Sequence, residues 1–211
     1  MSAGPPPPLV LATRSLGKLH ELRPMLAAYG IETTTLDAAG VPERPEEDAL
    51  ERFETFEENA LAKARYFFER AGGRPTVADD SGLEVAALGG RPGVRTKRWS
   101  GRTDLAGRAL DAANNARMLG ELSGVTDRRA RYVCVAAYVD RDGERVFRGE
   151  STGRIIHGLR GTGGFGYDPL FLSDDLGETF AEATIEDKER VSHRGRAFAQ
   201  LAAWMSRSSA R

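Results

Sequence analysis

A chain of 211 residues, 40% hydrophobic and 29% charged, is long enough to bury a sizeable core and reads as an ordinary globular protein, which excludes a disordered one. Its 30 Lys and Arg against 31 Asp and Glu leave a formal charge of -1, which argues against a nucleic-acid partner while leaving a local basic pocket open. The single cysteine, Cys134, cannot close an internal disulfide, and no apolar stretch reaches membrane length or follows Met1 as a secretory signal, so a reducing cytoplasmic setting without membrane contact is expected.

In chain order, the proline run at 5–8 predicts a disordered leader over residues 1–8. Residues 9–12 form a short buried-strand candidate, and Leu19, Leu22, Met25 and Leu26 then recur at helical spacing up to Gly30. Residues 31–36 read as a second strand and 40–45 as a turn-rich connector. The acidic stretch 46–58 leads into a helix over 60–68 that Gly72-Gly73 stops. Residues 76–78 look like a strand running into Asp79-Asp80-Ser81-Gly82, with extended structure resuming over 83–87. A loop rich in Gly and Arg covers 89–101 and a helix covers 105–122. Residues 131–139 and 144–149 pair as a hairpin around Asp142-Gly143. A glycine-rich loop at 158–166, a short strand at 170–172 and a closing helix at 187–205 complete the chain. Early alternation of strands and helices followed by a hairpin predicts an α/β protein, a mixed sheet with flanking helices, as one domain over 9–206 with a frayed tail at 207–211.

Five segments carry candidate chemistry. At Asp79-Asp80-Ser81-Gly82, strand alternation sends the two carboxylates to opposite sides, so one can hold metal or water while backbone donors hold the other. Ser81-Gly82 permits a tight turn with N–H groups suited to phosphate oxygens, although alone the four residues fit an Asx-type turn equally well. Thr13-Arg14-Ser15-Leu16-Gly17-Lys18, between the first strand and helix, suits an anion at a helix N-terminus; a plain N-cap with a solvated lysine is the alternative. It is not a Walker A loop.

Asn59 and Lys63, four apart on a helix, share a face and could reach one ligand. A glutamate upstream, together with Asp80, would supply the oxygen-rich, partly hydrated shell that Mg²⁺ prefers, while most of the acidic run is a solvated helix start. Gly161-Thr162-Gly163-Gly164-Phe165-Gly166-Tyr167-Asp168-Pro169 contains G-x-G-x-x-G, but Pro169 replaces the helix that a dinucleotide site requires. The loop is better read as presenting Phe165 for stacking on a base, with Tyr167 as a core anchor. Ser192-His193-Arg194-Gly195 opens the last helix with Lys188 one turn earlier, a cluster of donors for carbonyl or phosphate oxygens. His20 and His157 have no comparable neighbours.

In this order and at these separations, the motifs A-D-D-S-G-L, L-G-G-x-P-G-V, E-N-A-x-x-K-A-R, G-T-G-G-F-G-Y-D-P and S-H-R-G resemble the inosine triphosphate pyrophosphatase family, the XTP/dITP diphosphatases, from about Leu9 to Met205. The resemblance implies an elongated mixed α/β fold of two lobes around a central nucleotide cleft and a homodimeric assembly. It also implies Mg²⁺-dependent hydrolysis of noncanonical purine triphosphates (ITP, dITP, XTP) to the monophosphate and pyrophosphate. By the same resemblance, Asp80 is the general base or water-orienting carboxylate, supported by Asp79, and Lys18 and Lys63 hold the triphosphate. Thr13, Ser15, Asn59 and Ser81 add substrate contacts. Phe165 with Gly166 stacks on the purine, and Tyr167, Asp168, Lys188, His193 and Arg194 complete the base pocket. Asp80 and Glu51 are the metal ligands, with Glu54 the competing choice.

Three departures stand out: Ser15 replaces the usual Asn, Arg52-Phe53-Glu54-Thr55-Phe56 replaces T-G-x-T-F, and Arg95-Thr96-Lys97-Arg98 replaces x-S-A-R. Two rival readings are a Maf-like nucleotide pyrophosphatase and a non-catalytic nucleotide sensor.

Overall fold

Strand β1 (Leu9–Leu11) is buried at all three positions, as a short apolar run inside a parallel sheet must be. In the computed structural model, which describes residues 7–208, the expected leader and tail fall mainly on residues 1–6 and 209–211, outside the described residues. After β1, helix α1 (Leu16–Ala28) starts at Ser15, whose hydroxyl accepts the Lys18 amide, and buries Leu22, Met25 and Leu26. β2 (Thr33–Thr35) pairs parallel to β1, Leu9 opposite Thr33. A 3-10 turn at Pro45–Ala49 precedes α2 (Phe56–Arg70), where Thr55 caps by accepting the Glu58 amide.

Next come β3 (Thr76–Val85), α3 (Gly107–Glu121), β4 (Arg129–Asp140), β5 (Gly143–Ile155), β6 (Phe171–Ser173), α4 (Ile185–Val191) and α5 (His193–Ser208). The six strands form one sheet in the order β2-β1-β3-β4-β5-β6. It is mixed: β1 runs parallel to β2 and β3, while β5 and β6 are antiparallel. Among the described residues, no helix is long and apolar enough to cross a membrane.

The chain groups into two compact units. One comprises the chain up to Asp80, Val135–Arg148 and the segment from Ala197; the other comprises Ser81–Cys134 and Gly149–Arg196. In the first, β1 and the apolar face of α1 supply the buried side chains, joined by Phe56, Phe67, Phe198 and Leu201. In the second, Leu83, Met118, Leu122, Tyr132, Phe171 and Phe180 form a continuous hydrophobic cluster. Phe171 is fully buried there, so truncation to alanine costs about 3–5 kcal/mol.

Three local expectations are corrected. Asp79-Asp80-Ser81-Gly82 makes no turn; β3 runs unbroken through it for ten residues, nearly all buried. Burial and strand pairing override the turn preference of Asp, Ser and Gly, which is only a weak local bias. The hairpin reverses one residue early, at Arg141-Asp142, because the Asp140 side chain accepts both the Asp142 and Gly143 amides. Finally, the closing helix is two helices. Ser192 between them is extended (ψ 155) and its hydroxyl accepts the Gly195 amide, giving α5 its own start. A Cβ on Gly195 would fall onto the Glu189 carbonyl oxygen, so only glycine permits this close approach.

Candidate active site

The parallel register that sets Leu11 opposite Val77 puts the end of β1 alongside the start of β3, just before Asp79 and Asp80. The Ala12 amide continues the pairing by donating to Val77 O (2.8 Å). Ligands gather outside the carboxyl ends of such strands, and the loop there runs straight into the first turn of α1. Thr13 Oγ1 accepts the Ser15 amide (3.1 Å) and Ser15 Oγ accepts the Lys18 amide (3.4 Å), so both hydroxyls shape this turn. Ser15 is therefore the N-cap as well as a candidate contact.

Lys18 then reaches β3, where its Nζ lies 2.9 Å from Asp79 Oδ2 and 3.4 Å from Asp79 O. Alternation sends Asp80 the other way, toward α2. The buried stripe of α2 is Phe56, Asn59, Ala60, Lys63, Ala64 and Phe67, an apolar face interrupted by two polar side chains four residues apart. Asn59 Nδ2 donates to Asp80 Oδ2 (3.0 Å). Lys63 Nζ lies 3.8 Å from Asp80 Oδ1 and 2.6 Å from Glu51 Oε1, and it also donates to the Asp79 carbonyl. Both lysines thus converge on that one carbonyl, which brings two ammonium groups together among three carboxylates.

Asp80 is almost wholly buried, and burial raises its pKa from 3.8 to about 6. Lys63 opposes that rise, whereas the negative charge of Glu51 adds to it. Burial disfavours the charge on Lys63, yet Glu51 first and then Asp80 and Asp79 hold its pKa above the ordinary lysine value. Two carboxylates that repel each other beside a desolvated site are what a divalent cation relieves. Among the described residues no cage of three or more His, Cys, Asp or Glu exists. Mg²⁺ uses one or two carboxylates and keeps its waters, and the all-oxygen pair Glu51 and Asp80 would be the residues to hold it. Glu54, the competing choice, is exposed, whereas Glu51 holds the Lys63 contact.

The remaining candidates lie in the second unit. Phe165 is half-buried, with the Lys188 ammonium 5.3 Å and the Arg194 guanidinium 5.6 Å from its ring centroid. Asp168 ties the loop down: one carboxylate oxygen accepts the Phe165 amide (2.8 Å) and also pairs with Lys188 Nζ (2.7 Å). Arg194 donates to Ser81 Oγ (2.9 Å). The His193 ring stacks on Tyr132 at 4.5 Å and 7°.

Two expected contacts are revised. Asn59 does not face a ligand alongside Lys63: it is fully buried, and its carboxamide is bonded to both backbone groups of Phe53 and to Asp80. What the two residues share is Asp80. Tyr167 is a core anchor, buried and donating its hydroxyl to Thr96 O (2.9 Å), so its side chain is engaged in the core. The sequence reading missed two supports. Arg14 forks onto Glu47 (3.0 and 3.1 Å) while Arg70 reaches the same carboxylate (2.9 Å), tethering the segment four residues before Glu51. On α3, Asp111 and Asn115 bond to Gly166. The signal for the second was Asp111, Asn114 and Asn115, polar residues at i, i+3 and i+4 on the face where an amphipathic helix carries apolar ones.

Comparison with known proteins supplies independent findings. The sequence model of the Ham1 family matches residues 9–204. A dITP/XTP pyrophosphatase of Mycolicibacterium paratuberculosis is 50% identical over 201 residues, covering 92% of this chain and 93% of that protein. One from Frankia alni is 48% identical, covering 92% of this chain and 95% of its own. Among solved structures, a HAM1 protein from Coxiella burnetii aligns with a TM-score of 0.80 at 33% identity, over 94% of this chain and 98% of that one. A nucleoside-triphosphatase / dITP/XTP pyrophosphatase from Mycobacterium abscessus aligns at 0.69 with 42% identity, over 92% and 98%.

Proposed function

Since the chain belongs to the Ham1 family, we propose that it hydrolyses noncanonical purine nucleoside triphosphates such as dITP, XTP and ITP to the monophosphate and pyrophosphate, with Mg²⁺. The observation that carries the reading is the partly buried cluster in which Lys18 and Lys63 meet Asp79, Asp80 and Glu51. Family relatives named dITP/XTP pyrophosphatase support the substrate class.

In the reaction, water attacks the α-phosphorus, the bond to the bridging oxygen of the β-phosphate breaks, and the pyrophosphate leaves. Ionised Asp80 orients the water and takes its proton. Lys18 and Lys63 place positive charge where the phosphates gain negative charge. Asp79 fixes Lys18, and Asn59 fixes Asp80. When bound by Glu51 and Asp80, Mg²⁺ supplies charge neutralisation across the phosphates. Phe165 stacks on the purine, Lys188 and Asp168 hold its loop, and the donors of His193 and Arg194 read the six-position oxygen. Adenine carries a donor amine there. Opposing it to these donors leaves buried groups unpaired, a mismatch that discriminates by about 10⁴-fold.

Pyrophosphate release from ITP, XTP, dITP, ATP, GTP and dTTP, each with and without Mg²⁺, tests the reading. Fast Mg²⁺-dependent release from the six-oxo substrates ITP, XTP and dITP, with slow release from ATP, is expected. Equal kcat/KM for ITP and ATP would refute the selectivity, and ITP binding without release would mark a sensor. On the family resemblance the working form is a homodimer in the cytoplasm. A monomer by light scattering at the assay concentration would remove the dimer from the scheme.

A further inference from the structure

Gly166 is held by both of its backbone groups, and both holds come from α3. Its N–H donates to Asp111 Oδ2 (2.9 Å) and its carbonyl accepts from Asn115 Nδ2 (3.0 Å). The two side chains stand one helical turn apart, which is the spacing that lets them grip a single residue. Gly164 and Gly166 both have positive φ (66° and 65°), so the loop on either side of Phe165 follows a path that nothing but glycine follows without strain. A free segment with such glycines has many conformations, and the clamp selects one.

The other contacts of this loop do not replace the clamp. Asp168 links the Phe165 amide to Lys188, and Tyr167 is anchored on Thr96, so these contacts hold the residues on either side of Gly166 and not Gly166 itself. Asp111 and Asn115 connect Gly166 to the long helix α3. Asn115 is buried, and its Oδ1 has no hydrogen-bond partner among the described residues. Its orientation is therefore set by the bond to Gly166, and that bond is its evident reason to be polar.

We propose that Asp111 and Asn115 are positioning residues for base recognition: by locking Gly166 they fix the Phe165 ring against which the purine stacks, and so govern affinity for the base end of the substrate. This rests on the reading of the protein as a purine triphosphate pyrophosphatase. It assigns the pair no part in the chemistry at phosphorus.

The test compares wild type with Asp111→Ala, Asp111→Asn and Asn115→Ala, using ITP as substrate and inorganic triphosphate, which has no base, as competitive inhibitor. Asp111→Ala and Asn115→Ala should raise KM for ITP roughly 10-fold with kcat within about 2-fold, the mark of lost binding that is uniform between ground and transition states. The inhibition constant of inorganic triphosphate should stay unchanged. Asp111→Asn keeps an acceptor oxygen for the Gly166 amide and should restore most of the affinity. An unchanged KM in both alanine variants would overturn the inference, as would a parallel rise in the triphosphate constant, which signals general damage. If Asp111→Ala does not fold, Asn115→Ala and Asp111→Asn carry the same comparison. Wild type that releases no pyrophosphate from any purine triphosphate would sink the enzymatic reading, and this inference with it.

Discussion

Asn59 and Asp80 are joined by a buried hydrogen bond of 3.0 Å, and the nitrogen that makes it also donates to the Phe53 carbonyl (3.2 Å). One carboxamide thus sets both the orientation of the proposed base and the end of the segment that carries Glu51. Asn59→Ala leaves the Phe53 amide and one Asp80 oxygen without this partner, at a cost of about 1–3 kcal/mol for each buried group left unsatisfied. The expected result is a lower melting temperature together with a kcat loss of at least about 10-fold, read from thermal melts and steady-state rates on the same preparation. Unchanged turnover would show that Asp80 needs no such support.

Asp80 makes stability and activity oppose each other. A carboxyl whose folded pKa lies above its unfolded value holds its proton more tightly when folded. It is protonated in both states below about pH 4, and it destabilises the fold as pH rises toward and past 6. The shift from 3.8 to about 6 corresponds to about 3 kcal/mol at pH 7. Asp80→Asn should therefore unfold at higher denaturant than wild type at pH 8 in EDTA, and the advantage should vanish near pH 4. The same variant should lose at least about 10²-fold in kcat. Added Mg²⁺ should stabilise wild type more than the variant. Equal unfolding midpoints at pH 8 would mean that Asp80 carries no desolvation strain.

Lys188 and Asp168 form a buried pair at 2.7 Å that also holds the Phe165 amide. Removing one partner strands the other charge, which costs about 3–5 kcal/mol, whereas replacing both with apolar groups costs far less. In a double-mutant cycle of Asp168→Leu and Lys188→Met, each single variant should be markedly less stable than the double. Additive losses would instead place the two residues in independent roles.

Glu47 is proposed to support the metal ligand Glu51 from a distance. Arg14 and Arg70 fasten it, and Glu51 lies four residues further along. Glu47→Ala should raise the Mg²⁺ concentration for half-maximal rate roughly 10-fold, in the range seen when supports behind metal ligands are lost. The kcat at saturating Mg²⁺ should change little. Calorimetric titration of Mg²⁺ into the variant gives the same constant without turnover. An unaltered Mg²⁺ affinity would show that the segment orders itself.

Legibility in the sequence was local. The apolar run of β1, the helical spacing of α1 and the Gly72-Gly73 stop are each written within a few residues, and they appear where expected, whereas α2 begins at Phe56, ahead of the helix expected over 60–68. The grouping of Lys18, Lys63, Asp79 and Asp80 came from motif order, and Glu51 joins them in the structure through its contact with Lys63. The misjudged features depended on distant partners. Asp79-Asp80-Ser81-Gly82 has the composition of a turn, and only the strands beside it and the helices packed on it make it extended. The break at Ser192 interrupts a stretch whose helical periodicity continues across it. Asp111 and Asn115 act on a residue more than 50 positions away, a relation that no short window contains. Tyr167 showed both possibilities in sequence, an aromatic body for the core and a hydroxyl for a ligand, and Thr96 took the hydroxyl.

The unbroken course of β3 constrains how this segment can change over evolutionary time. Because its ten residues alternate strictly, Asp79 meets Lys18 on one side while Asp80 meets Asn59 and Lys63 on the other. Inserting or deleting one residue ahead of Asp79 would exchange the two carboxylates between partners and turn Leu83 and Val85 out of their hydrophobic cluster. The strand behaves like a reading frame: substitutions can be tried one at a time, but any length change of one is a frameshift in three dimensions. Drift in chain length should accordingly be confined to the loops before Thr76 and after Val85, leaving the distance between them invariant.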